Sequence, residues 1–481
     1  MSSKVNTQHP EYASMAAKWK RCRDTISGQD AVHAAGVLYL PKLADQTEDE
    51  YKAYKLRAQF FNAVWRTISG LSGLIFRKPP VITTSKTVEL LLEDVTMSGI
   101  KFQILAQNAT IETLSVGRLG VLVDHPQKPA EALTIADAEK MNLRPTMQLY
   151  PTESIINWKT ERIGNQTVLS MVVLTESTAV STDNEFEHKT ETHYRVLDLT
   201  TRTADIGVTL PAPVYRVRVF RINDKKEDEQ IGQDLIPLMN GKPLNFIPFF
   251  FIGVDDTTPA VDEPPLIDLV DLNLTHYRLD ADHKHGLHFG GLPTAVISGY
   301  TAKEGEKLYI GSSSAWVFPD PNAKAEYLEF TGQGLEPIAK EKDRVEQQMA
   351  ILGARLLTSE KKAVETAQTA QIHRAGEDSI LSAIAQTISI TLTRALQVFC
   401  QWAGSEEKDI GTELNREFLP PGITPQELTA LLQGWQMGAP GLSDQGLFDI
   451  LQKREVVASD VTLEEEQERI ASKAIPRPNI E

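Results

Sequence analysis

The sequence predicts an α+β fold, and three observations carry that prediction. Apolar residues recur every three or four positions over residues 11–114 and again beyond 340, the period of helices that bury one face. Over residues 146–253 the period drops to two, the mark of half-buried strands. Residues 264–358 read as a helix, a small strand-bearing insert and a second helix.

Taken in order, residues 48–76 form the first strongly periodic segment, through Tyr51, Tyr54, Ala58, Phe61, Trp65, Ile68, Leu71 and Ile75. Thr47 and Glu50 have the spacing of a capping box at its start, and Pro79-Pro80 end it. Residues 88–114 read as the next helix, through Leu91, Val95, Phe102, Leu105 and Ala109. A glycine-assisted strand, residues 117–124, follows it. Strands are then expected at 147–150, 154–158, 168–175, 192–199, 214–222 and 247–252, mostly antiparallel, with a polar loop at 223–230. Within 215–219 the two arginines share one face and the valines the other.

The helix after Pro264-Pro265 carries Leu266, Val270, Leu274, Tyr277 and Ala281 on one face, and Gly286 with Gly290-Gly291 are expected to stop it. Strand-like runs at 293–298 and 315–318 fill the insert, and residues 340–357 form the returning helix. A long helix over 365–404 presents Ile380, Ile384, Ile388, Leu392, Leu396 and Phe399. Short helices follow, with capping boxes at Thr424/Glu427 and Thr462/Glu465, and then an acidic tail.

Composition narrows the function classes. The 481 residues have room for two or three domains. Two cysteines far apart give no disulfide framework and suit a reducing compartment. Residues 1–6 are polar and hold no signal-peptide core, and the apolar stretch 380–399 is interrupted by Gln386 and Arg394, so no membrane span is expected. A net charge of −16 argues against tight gripping of nucleic acid. It is compatible either with ordinary solubility or with a wall past which DNA slides.

Catalytic signatures are absent from the sequence: there is no Walker A loop, zinc-protease helix or nucleophile elbow. Four histidines lie between His276 and His288 with Asp280 and Asp282 among them, but the separations of seven, two and three do not place them on one helix face. A metal-dependent hydrolase using Asp280, Asp282, His283 and His285 is the alternative enzymatic reading. Ser359-Glu360-Lys361-Lys362 sets a lysine pair between two helices, either an ordinary solvated loop or a mobile phosphate contact.

Several stretches carry a resemblance to a known family. They are Tyr39-Leu40-Pro41-Lys42-Leu43, Gly70-Leu71-Ser72-Gly73-Leu74-Ile75-Phe76-Arg77-Lys78-Pro79-Pro80, Gly117-Arg118-Leu119-Gly120-Val121-Leu122-Val123-Asp124, Tyr150-Pro151-Thr152-Glu153-Ser154 and Tyr327-Leu328-Glu329-Phe330-Thr331-Gly332. In this order the chain resembles the portal, or head-to-tail connector, proteins of tailed double-stranded DNA bacteriophages, and the last seventy residues resemble them least. The resemblance implies a wing at 1–255, a descending stem helix at 256–285, a clip at 286–335 and an ascending stem helix at 336–357. A tunnel loop and long wing helix at 358–404 and a helical crown at 405–481 complete the plan. It further implies a closed ring of about twelve copies around a DNA channel. Leu266, Val270, Leu274, Tyr277, Met349 and Leu352 would pack between neighbouring stems, and Ser359, Glu360, Lys361 and Lys362 would face DNA. No catalytic residue, cofactor or metal is implied. The implied partners are double-stranded DNA, the terminase large subunit, the major capsid and scaffolding proteins and the head-completion or tail adaptors, with no membrane. The implied location is the portal vertex of the virion, and the host cytoplasm during assembly. A minor head protein or adaptor is the other virion component to weigh.

Overall fold

The computed structural model describes residues 4–126, 141–180, 182, 184–200, 213–291, 294–299, 321–328, 333–355, 380–405, 407–418, 425–437, 443–454, 456–457 and 461–472. Its architecture is α+β. An amino-terminal helical layer consists of α1 (Pro10–Ser27), α2 (Gln29–Ala35), α3 (Glu48–Arg57) and α4 (Ala63–Ile75). Short β1 (Val81–Thr83) and one-turn α5 (Lys86–Glu89) lead to α6 (Phe102–Val116). The Thr47/Glu50 capping box forms in both directions.

Two of the expected long helices are each broken. The 48–76 segment divides into α3 and α4, because Ala58 turns to extended backbone and Asn62 caps the new helix by accepting from the Trp65 amide at 3.0 Å. The 88–114 segment divides at a loop in which Asp94 accepts from the Gly99 amide at 2.9 Å. Apolar spacing continues across both breaks, so periodicity alone does not reveal them.

Two antiparallel sheets follow. β2 (Arg118–Asp124) is the centre of a three-stranded sheet, flanked by β3 (Thr146–Pro151) and β11 (Phe249–Gly253). Gly120 lies where a Cβ would overlap the Phe249 ring, so the close β2–β11 approach requires glycine there. The second sheet is a meander of β4 (Ile155–Ile163), β5 (Gln166–Val180), β6 (Lys189–Thr200), β7 (Val214–Ile222) and β8 (Asp228–Leu235). β8 corrects the expected polar loop at 223–230. Its residues are mostly exposed, and it pairs as an edge strand whose Glu229 meets Arg221 of β7. On β7, Arg216 and Arg218 both bond Asp198, at 2.7 and 2.8 Å, while Val217 is buried on the other face. The two-residue strands β9 (Leu238–Met239) and β10 (Lys242–Pro243) form a small hairpin before β11.

Beyond the sheets come α7 (Ile267–Gly290), β12 (Thr294–Ser298), β13 (Lys324–Leu328), α8 (Leu335–Arg355) and α9 (Ile380–Trp402). α9 is the one described helix long and apolar enough to cross a membrane. It instead buries Ile384, Ile388, Leu392, Leu396 and Phe399 in the core. Its polar face presents Ser389, Thr393 and Gln397, four residues apart, to β14 (Gly411–Glu413). Ser389 and Thr393 accept from the Leu414 and Thr412 amides at 3.0 Å, and Gln397 donates to the Ile410 carbonyl at 3.3 Å. Three side chains thus close one edge of a strand whose other edge pairs with β1. The carboxy-terminal α10 (Pro425–Gln436), α11 (Asp444–Lys453) and α12 (Leu463–Ser472) follow, and the Thr462/Glu465 capping box is formed.

One core joins α1 through α9. Leu266, Val270, Leu274 and Tyr277 belong to it, at 3, 1, 1 and 0% exposure, and Met349 is 4% exposed, while Leu352 is half-buried. These include the side chains expected between neighbouring stems, and one chain buries the four of α7 and its approach against its own helical layer.

Replacing Leu274 therefore tests the chain's own stability. Leu274→Ala is expected to cost about 2–5 kcal/mol, as buried leucines do, read from the urea midpoint. Leu274→Asp is expected to abolish cooperative unfolding of the isolated chain. A variant that keeps the parent midpoint would show that α7 is not packed as described.

Candidate functional site

α7 and α8 form an antiparallel pair, and the segment between them contributes the paired strands β12 and β13. α7 has 24 residues and α8 has 21, lengths of about 36 and 31 Å at helical rise. β12 and β13 pair antiparallel with Thr294 opposite Leu328 and Ser298 opposite Lys324. The second insert strand was expected at 315–318, which lies outside the described residues; the strand that pairs is β13. The first helix starts at Ile267 and does not stop at Gly286, which stands inside it. There a Cβ would overlap Leu335 at the start of α8, so the glycine permits the two helices to approach closely.

Polar side chains of α7 anchor this pair to the helical layer. Asn273, fully buried, accepts from the Ala63 amide at 3.1 Å and donates to the Phe61 carbonyl at 2.8 Å, holding both sides of the α3–α4 break. Asp280, 5% exposed, accepts from the Gln59 amide at 2.9 Å with one oxygen. Lys284 of its own helix meets that oxygen at 2.9 Å, and Lys342 of α8 meets the other at 3.3 Å. A single carboxylate thus joins α7, α8 and the α3–α4 break. Tyr54 donates to Asp282, and Lys284 donates to the Gln59 side chain at 3.0 Å. Farther along, the buried His276 ring sits with Nε2 2.9 Å from Glu346 of α8.

Burial pushes the Asp280 carboxyl up, but the bonds from Lys284, the Gln59 amide and Lys342 outweigh it and hold it below its ordinary value. Burial, and then Asp282, push the Tyr54 phenol well above its ordinary value. Burial, and then Arg57, pull His285 down.

The expected site residues fare unequally. Ser359, Glu360, Lys361 and Lys362 lie outside the described residues. Asp280 and Asp282 are each engaged by structural donors, His276 faces Glu346, and the His285 ring packs edge-on against Tyr54 at 5.1 Å. Among the described residues no three histidine, cysteine or acidic side chains converge as a metal-binding group. Asn273, Lys342 and Glu346 were not singled out from the sequence. An asparagine inside an apolar stripe was the one signal available for Asn273.

The anchorage makes a signed prediction. A carboxyl whose folded pKa is depressed contributes stability above its unfolded value, about 3.9, and loses it as pH falls through the folded value. Asp280→Asn is therefore expected to flatten the fall in urea midpoint on acidification from about pH 6 to about pH 3. Asp280→Ala, which strands two lysines and an amide, is expected to cost about 3–5 kcal/mol at neutral pH. A parent-like acid profile in Asp280→Asn would remove the carboxylate from this role.

Comparison with known proteins returns a family model described as a domain of unknown function (DUF4055), matching residues 265–403, from α7 to the end of α9. No curated protein matches the chain. Solved structures similar to it include a chain in the neck of an empty GTA particle, at 13% identity, covering 80% of this chain and 89% of that one, TM-score 0.39. A chain in the virion of a native gene transfer agent particle has 11% identity, 94% and 100% coverage, and a TM-score of 0.37. A chain in the neck of the native particle has 13% identity, 89% and 98% coverage, and a TM-score of 0.38.

Proposed function

We propose that this chain is the subunit of a portal ring, a structural conduit through which double-stranded DNA is packaged into a capsid and later ejected. The observation that carries the reading is the α7–β12–β13–α8 unit. Two long antiparallel helices flank a small antiparallel strand pair, and their polar anchors join them to each other and to the helical layer. Such a unit is suited to bearing force, and no metal-binding group forms among its described residues. The ordered motifs from Tyr39 to Gly332 support the same reading. In it, residues 1–255 are the wing, 256–285 and 336–357 the stem, 286–335 the clip, 358–404 the tunnel loop and long helix, and 405–481 the crown.

Ring closure requires a surface that is unused within one chain. With the α7 stripe buried, the apolar side chains left outside beside α4 and α8 supply it. They are Phe61 and Trp65, at 43 and 40% exposure, and Ile351, at 67%. A Cβ placed on Gly353 would meet the Thr67 side chain of α4 at 3.3 Å, so this end of α8 and α4 form adjoining surfaces. The ring, of about twelve copies, then docks the terminase motor during packaging and tail adaptors afterwards. Capsid and scaffolding proteins surround it.

Negative-stain images of the purified chain are expected to contain closed rings. Trp65→Glu is expected to remove the rings while leaving the urea midpoint within about 0.5 kcal/mol of the parent, as surface changes do. Lys361→Glu with Lys362→Glu is expected to leave rings intact and lower the yield of packaged genome. A uniform monomer at high concentration would overturn the ring, and normal packaging by the double variant would remove the lysine pair from DNA contact.

A further inference from the structure

A cleft of about 960 Å³ opens between the β4–β5 hairpin, β11, the loop after β11 and α9. Its wall is aromatic, through Trp158, Phe249, Phe250 and Phe251, and its polar lining includes Glu11, Lys159, Glu161 and Arg394. Immediately behind the wall lies Arg118, with no exposed surface. Its guanidinium sits 3.9 Å from the Trp158 ring centre and 4.6 Å from that of Phe251, and Nη2 donates to the Pro259 carbonyl at 2.6 Å. All three contacts are cleft residues. Among the described residues Nε and Nη1 have no hydrogen-bond partner.

A buried cation with two unpartnered nitrogens is costly, and ring faces compensate only part of that cost. Burial pulls the Arg118 pKa down to about 9, with Glu11 and Asp262 opposing from a distance. At neutral pH the charge remains, and no carboxylate pairs with it among the described residues. Its field therefore reaches the cleft through a low-dielectric wall. At the exposed side Arg394 donates to the Thr257 hydroxyl at 3.1 Å and has no acidic partner among the described residues. Of the two lining carboxylates, Glu11 is engaged by the Val261 amide at 3.2 Å.

We propose that this cleft binds an acidic segment of a partner polypeptide. An apolar side chain of the segment packs on the Trp158–Phe250 wall, and the adjacent carboxylate meets Arg394 within the field of Arg118. Charge complementarity selects the carboxylate, and the aromatic wall selects its apolar neighbour. A nucleic acid strand is disfavoured, because a chain of net charge −16 repels a polyanion, whereas one carboxylate answers the local positive charge. The proposal is independent of the ring.

Ligand-observed saturation-transfer NMR on the full chain tests it, with phenylacetate and its uncharged counterpart phenylacetamide as probes. Phenylacetate is expected to bind and phenylacetamide to bind about tenfold more weakly, the loss of one charge-assisted contact. N-acetyl-Phe-Glu-amide is expected to displace phenylacetate. Arg394→Gln, a surface change, is expected to weaken phenylacetate about tenfold, and Arg118→Met to do the same if the variant keeps the parent circular dichroism. Equal binding of the two probes, or unchanged binding in Arg394→Gln, overturns the site. Displacement by oligothymidylate but not by the peptide overturns the choice of partner.

Discussion

The structure depends on how the backbone is satisfied where α3 stops and α4 begins. A helix start leaves its first amides without intrahelical acceptors, and inside a core those amides need partners. Asn62 serves the Trp65 amide, whereas the Ala63 amide is served by Asn273 and the Gln59 amide by Asp280, both more than two hundred residues away on α7. α7 therefore supplies acceptors to the break, alongside the local bond from the Ala63 amide to the Phe61 carbonyl at 2.8 Å. α7 in turn sits where it does because Leu266, Val270, Leu274 and Tyr277 fill the core beneath the helical layer. Apolar burial supplies the attraction, and the polar row sets register and height.

That constraint also fixes the base of the α7–α8 pair. α8 enters the same core through Val345 and Met349, and it is tied to α7 by Lys342 to Asp280 and by Glu346 to His276. Because Asp280 contacts both the break and α8, a displacement of α8 strains the bond to the Gln59 amide.

Much of this architecture was legible in the sequence, because helix and strand periods follow from which face is buried. The α+β class, the mostly antiparallel strands and the helix–insert–helix order all rest on that pattern. What escaped it depends on distant partners. The α3–α4 break is invisible in residues 48–76, since Ala58 and Phe61 keep the apolar spacing and the groups that satisfy the break are on α7. β8 was read as a loop because an exposed edge strand such as Asp228–Leu235 need not alternate. Gly286 was read as a stop because the space it leaves is used by Leu335, which no local pattern announces. The Asp280–Lys342 contact, the centre of the candidate site, was missed for the same reason.

The arginines show how an acidic chain uses its positive charge. Arg23 is held by Glu112 and Glu153, Arg195 by Asp124 and Glu176, and Arg216 and Arg218 by Asp198, each only partly buried. In those places the guanidinium forks across elements and its charge is answered. Arg118 departs from the pattern: it is the one fully buried arginine among the described residues, and rings answer it where carboxylates answer the others. Packing does not account for the charge, since a methionine of similar volume would fill the gap between Trp158 and Phe251 without desolvating an ion. Among the described residues no carboxylate pairs with this cation, which stands instead against the rings of an aromatic cleft.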